Sequence, residues 1–72
     1  MTQPDFIKII TENHIPPNLI HFENSASDGY YVLKNHHRFE VFYRERGKDY
    51  NRVGFPSECD ALEYLLNKLL KV

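Results

Sequence analysis

The chain is poor in the features that mark specialised protein classes. It has a single cysteine, Cys59, so no internal disulfide can staple it. A small secreted domain normally relies on several such bridges, so the expected compartment is the cytoplasm. It has no excess of positive charge: nine Lys and Arg stand against ten Asp and Glu, a formal net charge of −1. A nucleic-acid binder usually shows a basic face, and that footprint is missing. No apolar run approaches the roughly 20 residues needed to cross a bilayer, which excludes a membrane-spanning helix as the expectation. The first residues, MTQPDFIKII, lack the basic stretch and apolar core of a secretory leader. No internal repeat, low-complexity segment or glycine-rich phosphate loop interrupts the sequence. The 72 residues read as one domain over 1–72. At this size folding buries only about 60% of the surface of the unfolded chain, so the core must be thin.

What the chain does have is periodic. In TQPDFIKIITENH, Thr2 is placed to cap a short helix, with Asp5 three residues on and Pro4 tolerated in the first turn. Phe6, Ile9 and Ile10 fall on one face with Ile7 beside them, and Lys8, Thr11 and Glu12 fall on the other. Pro16-Pro17 stops the helix near Asn13. LIHFE (19–23) reads as a short strand or an extended connection, and NSASDG as loop chemistry. YYVLK (30–34) is a strand, with Tyr30 and Val32 on one face and Tyr31 and Leu33 on the other. NHH is a tight connection in which Asn35 tolerates the left-handed conformation. RFEVFYRER (38–46) alternates: Phe39, Val41 and Tyr43 toward a core, and Arg38, Glu40, Phe42, Arg44 and Arg46 toward an open face. A turn through GKD leads into a shorter strand, YNRVGF (50–55), ended by Pro56. Ser57 then caps a helix with Asp60 three residues on. Leu62, Leu65, Leu66 and Leu69 form its apolar stripe, with Ala61 and Leu70 at the margins. Glu63, Asn67, Lys68 and Lys71 face water. The expected fold is α+β in the order α-β-β-β-α: an antiparallel three- to four-stranded meander sheet, with an N-terminal and a C-terminal helix packed on one face.

Few residues suggest chemistry. His36 and His37 are adjacent, so on a strand they point to opposite faces, and His14 and His21 lie elsewhere. The expectation is surface histidines, no metal and no cofactor. Cys59 is flanked by Glu58 and Asp60, whose charge opposes a thiolate, and it falls in step with Leu62, so it reads as a small core residue. Glu45 and Arg46 would point to opposite faces of a strand, while Gly47 supplies the turn. The expectation is therefore no enzyme. The α-β-β-β-α order is shared with double-stranded RNA-binding domains, which place a basic cluster at the start of the last helix. Here that helix begins SECDALE, which is acidic. A small RNA-binding or antitoxin-like module is kept as the alternative, and no nucleic acid is the expectation. What remains is the open sheet face, where Tyr31, Phe42 and Tyr50 mix with Glu40, Arg44 and Arg46. Aromatics and arginines are the types enriched at protein–protein hot spots.

The stretch DGYYVLKNHHRFEVFYRERGKDYNRVGFPSECDALEYLL resembles small bacterial immunity proteins of polymorphic-toxin and contact-dependent growth inhibition systems. The matching residues are Phe42, Tyr43, Glu45, Arg46 and Gly47, then Phe55, Ser57, Glu58, Ala61, Tyr64, Leu65 and Leu66. The resemblance spans roughly residues 15–70. It implies a non-catalytic cytoplasmic protein, monomeric when free, that binds the C-terminal domain of a cognate toxin one to one. Such toxins are often nucleases. The contacts expected on this reading are Asp28, Tyr31, Glu40, Phe42, Arg44, Glu45 and Arg46, with Phe42 and Arg46 as anchors.

Overall fold

A computed structural model describes residues 1–70. The elements run α1 (Gln3–Glu12), a single 3₁₀ turn (Pro17–Leu19), β1 (Ile20–His21), β2 (Gly29–Asn35), β3 (Arg38–Glu45), β4 (Lys48–Phe55) and α2 (Glu58–Leu70). The fold is α+β, with both helices over one face of a four-stranded sheet in the order β1-β2-β3-β4. No helix among the described residues is long and apolar enough to cross a membrane.

Both helices start as local chemistry dictates. The Thr2 side chain accepts from the Asp5 amide, and the Asp5 carboxylate accepts from the Thr2 amide, a reciprocal capping box. The Ser57 hydroxyl accepts from the Asp60 amide at 3.2 Å. Phe6 and Ile10 of α1 and Ala61, Leu62 and Leu65 of α2 meet Ile20, Val32 and Val41 in one apolar cluster. Each fully buried Leu, Val or Phe there contributes roughly 1.5–3 kcal/mol of transfer free energy. Leu66 and Leu69 are half-buried at its margin, and Leu70 is exposed. Cys59 is half-buried near the Met1 amine rather than in the core, because it lies in the first turn of α2, at the rim of the layer. Lys71 lies outside the described residues.

Three features of the sheet differ from the sequence expectation. First, the sheet is mixed. β1 runs parallel to β2, pairing Ile20 with Tyr30 and His21 with Tyr31. A parallel neighbour normally needs a long crossover. Residues 22–28 suffice here because β1 has only two residues to return past. Gly29 makes the approach possible: its φ is +140°, and a Cβ there would sit 2.6 Å from the Leu19 carbonyl oxygen.

Second, both hairpins are tighter than expected. His36 and His37 alone join β2 to β3, and His36, not Asn35, takes the positive φ of +60°. Arg46 and Gly47 join β3 to β4 with φ of +51° and +80°, the two positive values of a type I′ turn. β4 therefore begins at Lys48 rather than residue 50.

Third, β4 is bulged. Val41 pairs with Val53 but Tyr43 pairs with Tyr50, so Phe42 faces two residues, Asn51 and Arg52, with Asn51 left-handed at φ +56°. The bulge sends Tyr50 to the helix side opposite Tyr43, away from Tyr31 and Phe42. It also puts Asp49 and Arg52 on one face, although residues three apart in a regular strand face opposite ways.

Candidate functional site

The face of the sheet turned away from the helices carries most of the side chains expected to meet a partner. One register row crosses it: His21 on β1, Tyr31 on β2 and Phe42 on β3. The rings form a ladder. Tyr31 and Phe42 stack with centroids 5.2 Å apart and planes within 1°, and His21 stacks on Tyr31 at 4.7 Å. Neither central ring is exposed: Tyr31 is at 0% and Phe42 at 2% of their possible accessible surface.

Two arginines cover the ladder. The Arg44 guanidinium lies 4.6 Å from the Tyr31 ring centre and 5.3 Å from that of Phe42, and Arg52 lies 4.5 Å from Phe42. A guanidinium over an aromatic face gains from the ring quadrupole while its stem covers apolar surface. Both are held in place by carboxylates. Arg44 grips Asp49 through Nε at 2.8 Å, and Arg52 reaches Asp49 at 2.6 Å and Glu40 at 2.7 Å. The Arg44 hydrogen bond holds the Asp49 carboxyl below the usual carboxylate range, with Arg52 adding to it, and Asp49 in turn raises Arg44. Asn35 adds a bond to Glu40 at 3.3 Å.

The remaining cover is the loop 22–28, strapped across the same face. The Tyr31 hydroxyl sits 2.6 Å from the Ser27 carbonyl, 3.0 Å from the Ser25 carbonyl and 2.7 Å from the Ser25 hydroxyl. A phenol has one proton to give, so it donates to a carbonyl and the Ser25 hydroxyl donates to it. Arg44 Nη1 donates to Asn24 Oδ1 at 2.7 Å and to the Ser25 carbonyl. His21 Nε2 donates to the Asp28 carbonyl at 3.2 Å. Asp28 Oδ1 accepts the Arg46 amide at 3.1 Å, which ties the strap to the β3–β4 turn. Beside the arginines an open depression of about 630 Å³ is floored by Leu33 and edged by Phe22, Lys34, Asn35 and Glu40.

The expected contact residues thus separate. Tyr31, Glu40, Phe42 and Arg44 come together on the outer face. Asp28 and Arg46 meet at its end. Glu45 stands apart, opposite Lys48 on the other side of the sheet. Tyr31 and Phe42 are corrections: the charges assumed to flank them lie on top of them, so they support the surface from beneath. Phe42 in particular cannot be truncated without touching the fold. Asp49, Arg52, Asn24 and Ser25 belong to the site and were missed. The one signal for Asp49 and Arg52 was Asn51 between them, a residue that tolerates the left-handed conformation of a bulge.

Among the described residues no three His, Cys, Asp or Glu side chains cluster as metal ligands would. No protein-family model, curated protein or solved structure matches the chain. The resemblance over residues 15–70 therefore stands on its sequence motifs alone.

Proposed function

We propose that this protein is a non-catalytic immunity protein, which binds the C-terminal domain of a cognate bacterial toxin one to one in the cytoplasm and neutralises it. The observation that carries the reading is the pair of arginines on the outer face. Arg44 and Arg52 are held over aromatic rings by Asp49 and Glu40, so their side-chain freedom is already restricted before a partner arrives. A preorganised arginine costs less entropy to engage than a free one, and arginine is among the commonest hot-spot residues. The motif resemblance over residues 15–70 supplies the class of partner, often a nuclease. The outer face occludes the toxin's active site on this reading, with Arg52, the more exposed of the two at 45% of its side chain, as the chief anchor.

The test is co-expression with the toxin domain encoded beside the gene. Cells should survive with the wild-type chain and die with Arg52→Ala, whose fold is checked separately by circular dichroism. Binding should weaken by about 2 kcal/mol or more, the range of a hot spot. Survival with a folded Arg52→Ala would move the interface to another surface. Death with the wild-type chain would remove the immunity reading for that toxin.

A further inference from the structure

The two edges of the sheet are built differently. β4, the longer one, is bulged at Asn51 and opens with the charged residues Lys48 and Asp49. Bulges and charges of this kind keep an edge from pairing. The other edge belongs to β2 wherever β1 does not cover it. β1 ends at His21, opposite Tyr31, and the chain then turns off across the outer face to reach Arg44. Val32–Asn35 is left uncovered, and its pairing with β3 is regular throughout.

The register decides which backbone groups point outward there. Asn35 and Arg38 flank a two-residue turn, so they form the hydrogen-bonded pair that closes the hairpin. Bonded and non-bonded pairs alternate along an antiparallel ladder, so Lys34 and Val32 turn their amides and carbonyls away from β3. Among the described residues no hydrogen bond reaches the Lys34 amide, the Lys34 carbonyl or the Val32 carbonyl. The depression of about 630 Å³ floored by Leu33 borders this stretch, and Arg52 lines the same depression.

We infer that an extended segment of the toxin domain adds to the sheet alongside Val32–Asn35, pairing with the Lys34 backbone and placing a side chain in the depression beside Leu33. The inference rests on the proposed function and adds the mode of contact. An added strand presents amides and carbonyls at the spacing this edge requires. Successive strand residues face opposite ways, so the residue paired with Lys34 points to the helix side and its neighbours point over the depression. A partner anchored on Arg52 already borders that depression. A second copy of this chain fits poorly. Four residues span only about 13 Å, so an edge-to-edge dimer would bury far less than the roughly 800 Å² per partner of a stable interface.

The experiment is amide hydrogen exchange by NMR on the ¹⁵N-labelled chain, alone and saturated with the toxin domain encoded beside the gene. The Lys34 amide should exchange freely in the unbound protein and about tenfold or more slowly in the complex. Affinities of two variants separate backbone from side chain. Lys34→Pro removes an outward amide, a change an edge strand accommodates, and should weaken binding about tenfold or more. Lys34→Ala keeps the amide and should bind like wild type. The exchange measurement uses the wild-type chain, so it decides even where Lys34→Pro does not fold. A complex in which Lys34 exchanges as fast as in the free chain would overturn this inference and leave the immunity reading standing. So would a folded Lys34→Pro that binds like wild type. Protection of Lys34 that rises with protein concentration in the absence of toxin would assign the edge to a second copy and overturn it too. Absence of any complex would remove the immunity reading and this inference with it.

Discussion

The two faces of the sheet are both buried, but by different means. On the inner face Val32 and Val41 lie under two capped helices, against Phe6, Ile10, Leu62 and Leu65. On the outer face Tyr31 and Phe42 lie under arginine side chains and a loop. The inner cover is apolar and contributes mainly by area removed from water. The outer cover is polar, and it works because its buried polar groups have partners: among the described residues no buried side-chain nitrogen or oxygen is left without a hydrogen bond. A 72-residue chain with two helices cannot cover both faces of a four-stranded sheet with apolar layers. Laying guanidinium groups on aromatic rings protects the second face and leaves a charged exterior available to a partner. One arrangement thereby serves stability and, on the proposed function, recognition.

The comparison is sharpest where the largest losses are expected. Phe42→Ala should cost about 3–5 kcal/mol and Leu65→Ala about 2–5 kcal/mol, through lost burial and the cavity left behind. Urea denaturation of the two variants should therefore place Phe42 with the core residues. Near-wild-type stability for Phe42→Ala would mean that the outer face is not a second core. Either loss is large in so small a domain, so both variants are best measured at low temperature.

A smaller effect separates the two kinds of cover. Tyr31→Phe keeps the ring and removes the hydroxyl that holds Ser25 and Ser27. It should cost about 1 kcal/mol, the net worth of a hydrogen bond, and should speed proteolysis within residues 22–28. For the inner face the matching change is Ser57→Ala, which removes the α2 cap and should also cost about 1 kcal/mol, but without exposing the loop. Cleavage at 22–28 that is equally slow in Tyr31→Phe and wild type would show that the strap is held by something other than Tyr31.

The smallest expected effect is electrostatic. Arg44, and after it Arg52, lower the pKa of Asp49. With the folded value below the unfolded one, the stabilisation is whole above the unfolded carboxylate pKa of about 3.9 and disappears as pH falls through the folded value. Asp49→Asn should therefore melt lower than wild type near neutral pH, and the gap should close in acid below about pH 4. Added salt should narrow it as well, since the ions are partly exposed. A gap independent of pH would assign the effect of Asp49 to something other than its charge.

What was legible in the sequence was what is local. Thr2 with Asp5 and Ser57 with Asp60 mark helix starts within one turn, and the Leu62–Leu65 spacing marks the buried side of α2. The alternation of Phe39, Val41 and Tyr43 marks the inner face of β3 without reference to anything distant. The outer face was misread because its cover comes from far along the chain. Phe42 sits among Glu40, Arg44 and Arg46 in sequence, which looks like a solvated face. It is buried because Arg44 folds back onto it, Asn24 and Ser25 hold Arg44 from some twenty residues away, and a bulge at Asn51 swings Arg52 over it. β1 escaped a firm assignment because two residues carry no period, and its parallel direction depends on the space left by Gly29. Arginine is not a residue that turn chemistry would choose for a left-handed position, so the sequence points to a turn opening at Gly47, one residue beyond its start at Arg46.

The outer-face aromatics Tyr31 and Phe42 are enclosed under their arginines rather than offered to solvent. Nitration of the native protein with tetranitromethane, mapped by peptide mass spectrometry, tests it directly. Tyr50 is 45% exposed and Tyr31 fully enclosed. The expected result is rapid nitration at Tyr50 and none at Tyr31 until the protein is unfolded. Nitration of Tyr31 in the native state as fast as Tyr50 would contradict the enclosed face.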